Sequence, residues 1–156
     1  MKPATSNDIR QELKASSQSK LVELCLRLAR FKKENKELLT YLLFEAHDIE
    51  AYIKNVKQQM DGDFAEINTS SLYYAKKSLR KILRLTNKHI RYTGNKQAEA
   101  ELLIHYCETL KRSGIAFQKS NALNNLYHAQ LKKIKAAVET MHEDLQYDYI
   151  RKLEKL

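Results

Sequence analysis

Apolar residues recur every three or four positions along nearly all of this 156-residue chain, and only three Gly and one Pro interrupt them. That spacing fits a helix buried on one side, whereas a half-buried strand alternates every second residue. A sandwich or barrel would also need turn residues at intervals of about ten, which this composition lacks. The chain is therefore expected to be all-α. Its 43% hydrophobic and 30% charged residues are those of a folded protein. The length suits one core, so residues 1–156 are expected to form a single domain.

Five to six helices are expected. The first starts at Thr5, whose hydroxyl caps it with Asp8 three residues on, and fades at Ser16 and Ser17. A second carries Leu21, Leu24, Cys25 and Leu28. The third, 34–60, places Leu39, Leu42, Ala46, Ile49, Ile53, Val56 and Met60 on one seam. Leu38, Tyr41, Leu43 and Phe44 make its first half apolar almost all round, so it must be covered on several sides, and the two small helices before it are the expected cover. Asp61-Gly62-Asp63 then breaks the pattern.

A fourth helix, 69–93, turns Leu72, Ala75, Leu79, Ile82, Leu83, Thr86 and Ile90 inward and ends at Gly94; a fifth, 96–112, stops before Gly114. All three glycines are expected just beyond a helix, where the left-handed conformation suits Gly. The last helix, 120–156, carries Tyr127, Leu131, Ile134, Val138, Met141 and Leu145, then slips one residue to Tyr149, Leu153 and Leu156. Short loops favour an antiparallel bundle with long third and last helices and a small amino-terminal helical hairpin. The alternative is a short helical-hairpin solenoid, but no internal repeat supports it. Residues 21–44 resemble helical-hairpin segments in general and carry no family motif.

Twenty-eight Lys and Arg against 19 acids give a net charge of +9, which favours acidic partners. The positive charge is concentrated. Lys76, Lys77, Arg80, Lys81, Arg84, Lys88, Arg91 and Lys96 occur in 69–96 without one acid, beside Tyr73, Tyr74 and Tyr92. A face of this kind is ordinarily just solvated, its long stems covering apolar edges. Yet like charges four apart, as in Lys77 with Lys81 or Arg80 with Arg84, each cost a few tenths of a kcal/mol, so a purely structural helix would interleave Glu. The functional reading is a surface that tracks phosphates while tyrosine rings stack on unpaired bases. An acidic patch on a protein is the competing ligand.

Chemistry has little to stand on. A di-metal bundle needs paired ExxH segments, and only Glu139 with His142 has that spacing; Glu101, His105 and Glu108 share a face in a common exposed arrangement. His105 and Cys107 point about 200° apart on a helix and cannot exchange a proton. Phosphate loops, GxSxG and HExxH are absent. No enzyme activity, cofactor or metal is expected. Cys25 and Cys107 lack CxxC spacing and read as reduced, buried small hydrophobes. No leader or membrane-length apolar run stands out, so the cytoplasm is the expected compartment. The seam from Tyr127 to Leu145 packs within the chain or, for a homo-oligomer, against a second copy. The expected role is a non-catalytic helical protein-interaction or scaffold domain; the alternative is non-sequence-specific nucleic-acid binding through 69–96.

Overall fold

A computed structural model describes every residue, 1–156, as eight α-helices with one π-helical and one 3-10 turn and no strand. The chain forms two compact units, Met1–Phe44 and Glu45–Leu156.

In the first unit, α1 (Ser6–Ala15) opens with the anticipated capping box: the Asp8 amide donates to the Thr5 hydroxyl, and the Thr5 amide donates to the Asp8 carboxylate at 3.1 Å. Ser17 caps α2 (Gln18–Phe31), which packs against α3 (Lys33–Thr40). The Asn35 amide closes this hairpin by donating to the Leu28 carbonyl at 2.8 Å. None of the three helices contains a buried residue. A π-helical turn, Tyr41–Glu45, follows. Within this turn Tyr41 is buried while Leu42, Leu43 and Phe44 remain 56%, 63% and 66% exposed. The cover expected from the first two helices is thus only partial: α2 packs on α3, but Leu42, Leu43 and Phe44 stay uncovered. Cys25 is exposed, contrary to the reading of it as a buried hydrophobe.

The second unit begins with α4 (Ile49–Ala65), whose first turn is held by Asp48 accepting from the Ala51 amide at 3.0 Å. Residues 34–60 are thus two helices and a π turn. Gly62 lies inside α4, not after it. The cause is Phe64, buried with its ring 5.4 Å from that of Tyr106. Burying such a side chain contributes about 1.5–3 kcal/mol, against about 1 kcal/mol for an interior glycine. Gly94 and Gly114 do adopt left-handed φ values, 56° and 73°, as expected.

α5 (Leu72–Thr93), α6 (Lys96–Arg112), α7 (Asn121–Val138) and α8 (Glu143–Leu153) complete the unit. The last segment is broken because α7 ends at Val138 and the His142 ring caps α8; the Gln146 amide, donating to the Met141 carbonyl at 2.8 Å, fastens the corner. α6 is the centre. It packs against α4, α5, α7 and α8, and Leu102, Leu103, Tyr106, Cys107 and Leu110 are fully buried. A linear solenoid would give each helix only its sequence neighbours. Tyr127, Ile134 and Val138 belong to this core, so the seam offered for a second copy is occupied within the chain. No helix is long and apolar enough to cross a membrane.

Candidate functional site

The sequence of α5 divides its circumference. Ala75, Leu79, Ile82, Leu83 and Thr86 are buried, while Lys77, Arg80, Lys81, Arg84 and Arg91 are exposed and Lys76 and Lys88 half-exposed. At 100° per residue the seven cations share an arc of about 140° opposite the buried stripe. Ser71 fixes the amino end by accepting from the Tyr74 amide, and Gly94 ends the helix with its amide on the Ile90 carbonyl at 3.1 Å. From Lys76 to Arg91 the face is about 22 Å long. No carboxylate forms an ion pair with Lys76, Lys77, Arg80, Lys81, Arg84 or Arg91.

Two depressions lie on this face. One, of about 510 Å³, is bordered by Tyr73, Lys76, Lys77, Arg80, Lys81 and Arg84. The other, of about 730 Å³, runs past Arg80, Arg84 and Arg91 to Lys96 at the start of α6 and Lys133 on α7. Arg80 and Arg84 border both, so the two form one cationic trough. Lys96 is partly neutralised by Glu99 at 2.8 Å. Lys133 was not legible as a site residue: it follows the acid-free stretch by 37 positions counted from Lys96, and only the packing of α7 on α6 brings it to the trough.

The tyrosines divide. Tyr73 is 74% exposed and lies at the cationic depression, so its ring is accessible. Tyr92 lies about 20° past the edge of the cationic arc but borders neither depression; it is half-buried, its ring edge-on to His89 at 6.0 Å, and His89 is hydrogen-bonded to the Tyr52 hydroxyl at 2.7 Å. Of the residues singled out from sequence, Tyr92 is therefore the one placed with packing groups rather than with the cations.

Elsewhere, polar side chains are spent on structure. Glu101 accepts from Lys57 at 2.8 Å and from the Tyr149 hydroxyl at 2.9 Å, tying α6 to α4 and α8. Burial works against its charge, but the Lys57 and Tyr149 hydrogen bonds prevail and hold the carboxyl below its ordinary value. Burial first, then the Glu101 contact, pushes Tyr149 up to about 12. His105 meets Asp61 at 2.6 Å, and burial raises the Cys107 thiol to about 12, leaving it protonated at neutral pH. Glu101 and His105 thus point to different partners. Comparison with known proteins finds no matching family model, no matching curated protein and no matching solved structure.

Proposed function

We propose that this chain is a non-catalytic binding protein of the cytoplasm whose ligand surface is the α5 trough, and that the ligand is a nucleic-acid strand held through its phosphates without base reading. The observation that carries this reading is the set of six cations, Lys76, Lys77, Arg80, Lys81, Arg84 and Arg91, on one helix face with no carboxylate paired to any of them. Steps of three or four residues advance about 4.5–6 Å along the axis, comparable to the spacing of phosphates on an extended strand. Tyr73, at the end of the row, offers a face on which an unpaired base can stack. Two free cysteines suit a reducing compartment.

A labelled oligonucleotide titrated at several ionic strengths tests this. Six phosphate contacts give a slope of log K against log salt of about −4 for a single strand to about −5.4 for a duplex, so affinity is expected to fall about 300- to 2,000-fold between roughly 50 and 200 mM salt. Replacing Lys77, Arg80 and Arg84 together by Glu is expected to abolish binding with the helical circular dichroism unchanged. Binding that ignores salt, or survives the triple reversal, overturns the proposal. Tight binding to an acidic protein with none to oligonucleotides would return the trough to the protein-interaction reading.

A further inference from the structure

The second anomaly is apolar and lies in the first unit. Large side chains left in water normally occur singly; a contiguous group marks a surface that another molecule covers. Between α2 and the segment formed by α3 and its π turn runs a groove of about 630 Å³. Leu26, Leu39, Leu43 and Phe44 provide its apolar lining. Arg30, Lys32, Lys33 and Lys36 border it, and no carboxylate does. Lys33 reaches Glu37 at 3.7 Å while staying 86% exposed, so that pair neutralises little.

We propose that this groove is the docking site for an acidic amphipathic helix of a partner protein. A helix laid in a groove inserts apolar residues at i, i+3, i+4 and i+7, and the flanking residues meet the rim. Here the lining takes leucine-sized anchors, and the four cations of the rim select Glu or Asp on the flanks. Charge disfavours a second copy of this unit as occupant, because residues 1–44 carry nine Lys and Arg against five acids, net +4. Shape disfavours a lipid surface: the apolar residues line a concavity, whereas adsorption to a bilayer needs a convex apolar face.

The test uses the full chain and a designed fluorescent peptide of about 18 residues, with leucines on one helical face and glutamates on the other. A control peptide carries lysines in place of the glutamates. Fluorescence anisotropy is expected to show the glutamate peptide binding at least tenfold more tightly than the lysine one. Lys32→Glu with Lys36→Glu, and separately Leu43→Ser with Phe44→Ser, are each expected to weaken it tenfold or more. Arg80→Glu with Arg84→Glu is expected to leave it unchanged, which separates this groove from the α5 trough. The substituted groove residues are at the surface, and circular dichroism checks that helix content persists. Four results overturn the proposal: no binding of the glutamate peptide; equal loss on reversing α5; light scattering showing a dimer that Phe44→Ser dissociates; or anionic vesicles binding through Phe44 while the peptide does not.

Discussion

Cys25 and Cys107 occupy similar settings in the sequence, each among leucines at helical spacing, and nothing local distinguishes them. The difference arises from what lies around the helix. Cys107 is in α6, covered by four other helices and wholly buried, and its thiol is raised to about 12 by that burial. Cys25 is in α2, which has no buried residue. A disulfide reagent is accordingly expected to titrate one thiol quickly in the native protein and the second only in denaturant, with Cys25→Ser removing the fast reaction. Two fast thiols would mean that α6 opens. Gly62 carries the same lesson: a glycine between two aspartates reads as a stop, and only the burial of Phe64 against Tyr106 carries the helix through it. Thr5 with Asp8 and Gly94 after Thr93 were legible because their partners lie within a turn.

At the scale of elements, the helices 69–93 and 96–112 were readable from stripe, cap and glycine together, and the structure differs only at the first turn of α5. Residues 34–60 and 120–156 each read as one helix in the sequence, since apolar steps of three and four continue across their breaks. The signals that mark those breaks are polar and small: Asp48 at the start of α4, and the one-residue slip between Leu145 and Tyr149 that accompanies the start of α8. What holds α8 in place is the group of Lys57, Glu101 and Tyr149. Because the Glu101 carboxyl lies below its ordinary 4.5 in the folded state, its contribution is complete above that pH. It is lost as pH falls through the lower folded value. Tyr149 has the opposite sign: its pKa is raised from 10 to about 12, so its contribution holds below pH 10 and disappears as pH rises between these values. Glu101→Gln is expected to lower Tm at pH 7 by a few degrees and to flatten the acid limb of Tm against pH. An unaltered acid limb would remove Glu101 from the account.

Across the whole molecule, apolar burial is uneven. The continuous core, from Met60 to Tyr149, lies in residues 45–156, whereas α1, α2 and α3 contribute no buried side chain. Local stability follows burial, so amides of residues 6–40 are expected to exchange with deuterium orders of magnitude faster than those of α6. Comparable protection in both would show that the first unit is covered in solution. Sequence periodicity could not foresee this contrast, because it reports that a face is apolar and not whether another element reaches it. The row of cations is legible in the acid-free stretch 69–96 and its helical spacing; that Lys133 joins it and Tyr92 leaves it depends on the packing of α7 and on the contact of Tyr92 with His89.

Six positive groups without a carboxylate of their own must be accompanied by small anions from the surrounding solution. The proposed docking on α5 would then be an exchange of one set of anions for another, with chloride or phosphate competing for the same places. The occupancy of this helix would follow the ionic and metabolic state of the cell even when the amounts of protein and ligand are constant.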